Sequence, residues 1–198
     1  MTSLNRLHQV LRTDASGTPL EWINHEQAAK LLALDMVQYA HGEILTRLHG
    51  GINAITDQQS FFDIHAIIAT KGNNFELQKK LGYFVPPLTN RTLFKRDQNL
   101  CLYCGKQFQY LDLSRDHVKP VSRGGRDCWS NVVTSCKRCN NHKADRTPAQ
   151  ANMKLLAIPF VPNYAEYIFL QSKNIIADQM EFLLHHFPKS SRLRDRLS

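Results

Sequence analysis

Cys101-Leu102-Tyr103-Cys104-Gly105 opens the stretch whose reading decides the fold. Leu113-Ser114-Arg115-Asp116-His117-Val118-Lys119-Pro120-Val121-Ser122-Arg123-Gly124-Gly125 follows, then Asp127-Cys128-Trp129-Ser130-Asn131-Val132-Val133, and Cys136-Lys137-Arg138-Cys139-Asn140-Asn141-His142-Lys143 closes it. Two CxxC pairs thus stand with 31 residues between Cys104 and Cys136. Two such pairs bring four thiolates to one tetrahedral Zn²⁺, each pair clasping it from a tight turn. Gly105 suits a turn that needs a positive φ. A redox CxxC would sit at a helix start within a thioredoxin-like pattern, and unligated buried thiols are a third reading. The paired spacing favours structural zinc on Cys101, Cys104, Cys136 and Cys139. A closed four-thiolate site leaves no position for substrate, so this zinc folds the segment rather than catalyses. Cys128 stands outside both pairs and reads as a small apolar filler.

Between the pairs, Leu113 to Val118 suits a short strand ending at Pro120, and Gly124-Gly125 allows a reversal. Asn131 to Thr134 suits the returning strand. A helix from near Ser135 then carries Cys139, Asn140 and Lys143 before Pro148. The expectation is a β-hairpin packed on a helix and pinned by zinc at its base.

The rest of the chain sets the context. Its 198 residues suit one ordinary domain or two small ones, and 42% apolar content is near the globular average. No apolar run approaches the roughly 18 residues needed to span a bilayer, so no membrane partner is expected. Met1-Thr2-Ser3-Leu4-Asn5-Arg6 lacks the apolar stretch of a secretory signal. A cytoplasmic location is the expectation, where cysteines serve as ligands or buried thiols rather than disulfides. The net charge is +8, and residues 91–150 hold 12 basic and 5 acidic side chains together with all five cysteines. That co-location points to phosphate binding rather than to a merely solvated face.

Outward from this segment, the first 88 residues read as an N-terminal α+β region. Asp14 to Pro19 is turn chemistry, and Leu20 to Ile23 a short strand. Asn24 with Gln27 forms a capping-box pattern opening a helix through Ala28, Leu31, Leu32, Met36 and Tyr39, closed by Gly42. Gly50-Gly51 and Gly72-Asn73-Asn74 read as turns around strands at 43–49 and 64–70. His25, His41, His49 and His65 lack ligand spacing and read as structural or exposed. Pro86-Pro87 places a boundary near residue 88. Residues 89–150 form the central domain, and 151–198 a helical extension with a basic tail bearing Arg192, Arg194 and Arg196. At the end of the central domain Thr147-Pro148-Ala149-Gln150 reads as a helix start; in the extension Asn163 with Glu166 reads as another, and a further helix runs through Phe182 and Leu183 to Pro188.

The central motifs resemble the HNH endonucleases, in the bacterial branch with a four-cysteine zinc: CxxCG, DHxxPxSxGG, WxN and CxxCNxxK followed by RTP. Met153 to Leu156 and Ala177 to Met180 resemble the flanks of that branch more softly. The resemblance implies an α+β fold with a ββα-metal core braced by a zinc knuckle. It implies that His117 is the general base on the attacking water. Asp116 and Asn140 would ligate a single catalytic Mg²⁺ or Mn²⁺, a second metal site distinct from the zinc. Strand neighbours point to opposite faces, so the Asp116 role requires a twist or bulge beside His117. Asn131 would orient the base or fix its loop. Lys143 would face the same phosphate as Asn140. Taken singly, each of these residues has an ordinary structural reading; only their joint spacing carries the catalytic one.

Arg96, Arg115, Lys119, Arg123, Lys137 and Arg138 are the expected nucleic-acid contacts, with Arg91 and Lys95 nearby. The expected function is metal-dependent hydrolysis of phosphodiester bonds in DNA by a monomer or homodimer, with RNA not excluded. The alternative is a zinc-stabilised nucleic-acid-binding module whose catalytic site is silent. No separate helix-turn-helix or finger array supports sequence-specific reading.

Overall fold

Asn24 ends one strand and starts one helix. Its Oδ1 accepts the Gln27 N–H at 2.8 Å while Gln27 Oε1 accepts the Asn24 N–H at 2.9 Å, the reciprocal cap that the sequence promised. In the computed structural model, the described residues are 8–52, 54–72, 84–172 and 174–194. The turn expected at Gly72-Asn73-Asn74 and the tail residue Arg196 reach beyond them. The chain divides into two compact units, Met1–Tyr83 with Gln171–Ser198, and Phe84–Leu170.

In the first unit, β1 (Val10–Thr13) and β2 (Pro19–Ile23) form an antiparallel hairpin. Asp14 Oδ1 closes it by accepting the backbone N–H groups of Ser16 and Thr18, each at 2.9 Å. The helix α1 spans only His25–Ala33. It does not reach Gly42, because Asp35 turns left-handed at φ 52° and the chain enters β3 (Val37–Ile52). There Tyr39 pairs with Ala69 of β4 (Gln59–Thr70). Sheet pairing overrides the helical spacing of Met36 and Tyr39. Gly50 and Gly51 lie inside β3 rather than in a turn.

The four strands run in the order β2-β1-β4-β3, with β1 and β4 parallel. One face buries Val10, Ile23, Ala28, Ile64 and Ile68. Full burial of such a side chain stabilises by about 1.5–3 kcal/mol. The last helix, α5 (Ala177–His185), belongs to this unit. Its buried Gln179 donates to the carbonyls of Gln9 at 2.7 Å and Ala66 at 2.8 Å.

The second unit is built around a smaller sheet. Thr89 caps α2 (Asn90–Arg96), a helix that the hydrophobic pattern did not announce. β5 (Leu113–His117) and β6 (Val132–Cys136) pair antiparallel, with Leu113 opposite Cys136 and His117 opposite Val132. Next come α3 (Lys137–Lys143) and α4 (Tyr164–Gln171). Asn163 and Glu166 cap α4 reciprocally at 2.7 Å each. Thr147 does not start a helix. It makes one capped turn with Gln150, which Asn152 ends at φ 54°.

Leu93, Phe94, Leu113, Trp129 and Val132 form one buried cluster of this unit; Leu102, Tyr103, Val133 and the cysteines form another. The fold is α+β, with a β-hairpin on a helix as the hairpin residues implied. Among the described residues, no helix is long and apolar enough to cross a membrane.

Candidate active site and metal centre

The sulfurs of Cys101, Cys104, Cys136 and Cys139 all lie within 4.8 Å of one another. Zn–S bonds of about 2.3 Å in a tetrahedron put sulfurs about 3.8 Å apart, so a small contraction seats the ion. The first pair is shaped by a tight turn in which Gly105 donates to Cys101 O at 2.9 Å with φ at 70°. The second is shaped by the start of α3, where the Cys139 N–H points at Cys136 Sγ at 3.4 Å.

Burial raises the Cys101 thiol pKa, but backbone N–H groups of Cys136, Cys104 and Tyr103 outweigh it and bring it down to about 7. Burial pushes Cys139 up, and neighbouring Cys136 and Cys101 add to it; burial also pushes Cys104 up. Four thiolates therefore need a shared cation to ionise together, which is the chemistry of a structural zinc site. Cys128 is not an apolar filler: it is half-buried, with its sulfur 3.4 Å from Ser130 Oγ.

Strand β5 has two faces, and they do different work. Successive side chains alternate across a strand. Ser114 and Asp116 face α3, whereas Arg115 and His117 face the loop that carries Asp127. The β5–β6 pairing runs without a register shift, so no bulge turns Asp116 and His117 towards one point.

On the α3 side, Asp116 is only 4% exposed. Its Oδ1 accepts from Lys143 Nζ at 3.0 Å, and its Oδ2 accepts the Tyr103 hydroxyl. Burial, then the bond to Asp116, raises the Tyr103 pKa far above its ordinary value, so Tyr103 stays a donor. Lys143 is 1% exposed and also donates to His117 O at 2.8 Å. Asn140 turns its amide nitrogen to Ser114 Oγ at 3.0 Å.

These contacts depart from the sequence expectations for Lys143 and Asp116. Lys143 is a buried brace, not a phosphate contact, because its ammonium is turned inward. Asp116 is not presented to a cation, since an ammonium and a hydroxyl hold its oxygens. Among the described residues, Asn140 knits α3 to β5 through its amide nitrogen alone. The residues as placed do not fit a catalytic Mg²⁺ or Mn²⁺ between Asp116 and Asn140: an ion there would have to displace the ammonium from a buried carboxylate.

On the other side, His117 is half-buried at the end of β5, with Nε2 2.9 Å from Asp127 Oδ1. Arg115 Nη1 donates to Asp127 Oδ2 at 2.7 Å, and Arg115 Nε donates to Asn90 Oδ1 at 3.0 Å. Asp127 was not singled out by the motif, because an aspartate in a polar loop has no periodic signal.

Asn131 shapes the loop rather than touching the imidazole. Its Oδ1 accepts from Lys119 N at 2.9 Å, and its Nδ2 donates to Lys119 O and Arg126 O at 3.0 and 2.9 Å. Gly125 completes that loop: a Cβ there would sit 1.9 Å from Lys119 O. Only glycine fits so close a backbone approach.

The basic residues divide. Arg96 is fully buried, and all five of its N–H donors are used. It binds both Asp97 oxygens at 2.8 and 3.0 Å and the carbonyls of Trp129, Phe160 and Val132 at 2.9–3.0 Å. It belongs to the core, not to a DNA surface. Arg115 is likewise engaged inward, and Lys95 donates to Phe169 O at 3.0 Å. Lys119, Arg123, Lys137 and Arg138 are exposed, with Arg123 bonded to Gln150 at 2.9 Å.

Residues 101–156 match a family model described as HNH endonuclease. Among solved structures, the crystal structure of the Type II-C Cas9 enzyme from Actinomyces naeslundii aligns at 24% identity and a TM-score of 0.30. That alignment covers 56% of this chain and 14% of the Cas9 chain. No curated protein matches the chain.

Proposed function

Residues 101–156 form an HNH endonuclease domain, and from that premise we propose that this protein hydrolyses phosphodiester bonds in DNA, with His117 as the general base. The observation that carries the reading is the setting of His117. It stands at the end of β5, half-exposed, with Nε2 engaged and Nδ1 without a partner among the described residues. An imidazole so held can take a proton from an attacking water through its other ring nitrogen. Lys119, Lys137 and Arg138 supply exposed positive charge on the same unit, and phosphate contacts of this kind hold a backbone without reading its sequence.

Cytoplasmic reducing conditions would keep the four thiols available to structural zinc. One such site cuts one strand per event, so a monomer nicks, and a double-strand break takes a homodimer or two visits. Mg²⁺ or Mn²⁺ is the cation implied by the family, and its dependence is part of the test.

The test is plasmid cleavage by zinc-loaded protein with Mg²⁺, Mn²⁺ or chelator, alongside His117→Ala and a matched RNA. Nicking by wild type and none by a folded, zinc-loaded His117→Ala is the expected result. Equal cleavage by His117→Ala removes the base assignment. DNA binding without cleavage under every condition favours the silent binding module, and preferential cleavage of RNA changes the substrate.

A further inference from the structure

We propose that Asp127 is the positioning residue of the site, setting the tautomer of His117 through an Arg115–Asp127–His117 chain. The proposal rests on the nuclease reading of His117. The carboxylate is divided between two partners, with Oδ1 2.9 Å from His117 Nε2 and Oδ2 2.7 Å from Arg115 Nη1. Neither partner is loose. Arg115 has only 19% of its side chain exposed and is fixed again by Asn90 Oδ1 at 3.0 Å. Backbone bonds Cys128 N to Arg126 O at 3.1 Å and Asn131 N to Cys128 O at 2.9 Å shape the loop that holds Asp127. The Asn131 side chain anchors the same loop at Arg126 O.

An ordinary surface ion pair would explain Arg115 and Asp127 alone. It does not explain why the second oxygen is directed at the imidazole. A carboxylate accepts, so the nitrogen it faces must carry the proton. Nε2–H is therefore fixed, and Nδ1 is left with its lone pair for a water proton. The same carboxylate then stabilises the imidazolium formed by that transfer, as an aspartate does for a histidine base in hydrolases generally. Burial alone would push the Asp127 carboxyl up, but hydrogen bonds from Arg115 and His117 outweigh it and hold it below the usual carboxylate range. It is an anion at neutral pH. Arg115 acts on the base at one remove, which explains why so basic a residue is turned away from solvent.

The test joins a spectrum to kinetics, using full-length zinc-loaded protein. Long-range ¹H–¹⁵N correlation on His117 in wild type should give the Nε2–H tautomer. Asp127→Ala should shift it towards a mixture. The near-isosteric Asp127→Asn keeps the loop and removes the charge, and its kcat should fall about 10²–10⁴-fold with KM changed less than about twofold. Arg115→Gln should give a smaller kcat loss in the same direction.

An unchanged tautomer in Asp127→Ala overturns the proposal. So does a kcat within about twofold of an active wild type in Asp127→Asn. A wild type that cleaves nothing removes the nuclease reading instead, and the spectrum then decides the Asp127–His117 relationship without any turnover.

Discussion

Lys143 and Asp116 form a buried ion pair at 3.0 Å, with side chains 1% and 5% exposed. It ties the last residue of α3 to the strand that ends in His117, and the same ammonium binds the His117 carbonyl. Removing one partner leaves the other charged and dry. Lys143→Met should therefore cost about 3–5 kcal/mol in urea unfolding. A lysine acting on phosphate would instead lose activity at unchanged stability, so the denaturation curve separates the two roles.

Arg96 and Lys137 make a matched pair of opposites. Arg96→Met should destabilise by about 3–5 kcal/mol, because Asp97 and three carbonyls lose their donors in the core. Lys137→Ala with Arg138→Ala should leave the unfolding midpoint within about 0.5 kcal/mol of wild type, since both side chains are exposed. If both reach phosphate, the double variant flattens the plot of log affinity against log salt by up to about two units. Fluorescence titrations of a labelled duplex at several salt concentrations measure that slope.

Lys95 gives a pH signature. Burial, then the neighbouring Arg91 charge, lowers its pKa to about 8. In the unfolded chain it titrates near 10.4. Between these values the unfolded state holds the extra proton, so stability rises as the pH increases from about 8 to about 10.4. The penalty that burial imposes on the charged form is fully present below pH 8. Its size is on the order of 1–3 kcal/mol. The Lys95→Met variant should lack that part of the slope when unfolding free energies of the two proteins are compared across the window.

Zinc removal should act on folding first. Cys136 is one of the four clustered sulfurs, the cap of α3 and a β6 residue paired with Leu113. Cys136→Ser should lower zinc affinity by more than about 100-fold and expose residues 84–170 to protease. Metal analysis with limited proteolysis checks both. A variant that keeps its zinc and its protease resistance would show that the other three sulfurs suffice.

Local chemistry in the sequence was legible where a short pattern has one physical use. The caps at Asn24 and Asn163 and the four cysteines lie where their spacing put them. At Tyr39 helical spacing competes with a strand partner that only the folded chain supplies. At Arg96 composition counts a charge without saying which way it points, and the guanidinium is buried. Asp116 shows the limit most plainly. Its expected role beside His117 required a twist or bulge, and the unshifted pairing of β5 with β6 sends the two side chains to opposite faces. Tyr103 and Asp127, which partner those neighbours, carry no motif of their own.

The pairing of Leu113 with Cys136 has a consequence for how the hairpin comes together. A slip of one residue between β5 and β6 would exchange the two faces of the strand. It would send His117 inward towards α3 and leave the Asp116 carboxylate outside, giving a hairpin with every chemical group present and none in place. Cys136 lies at one end of that ladder and also among the four sulfurs, so a seated metal accepts only one alignment. A zinc ion held by the four sulfurs would act there as a proofreader of strand register, rejecting the near-miss fold that backbone hydrogen bonding alone would tolerate.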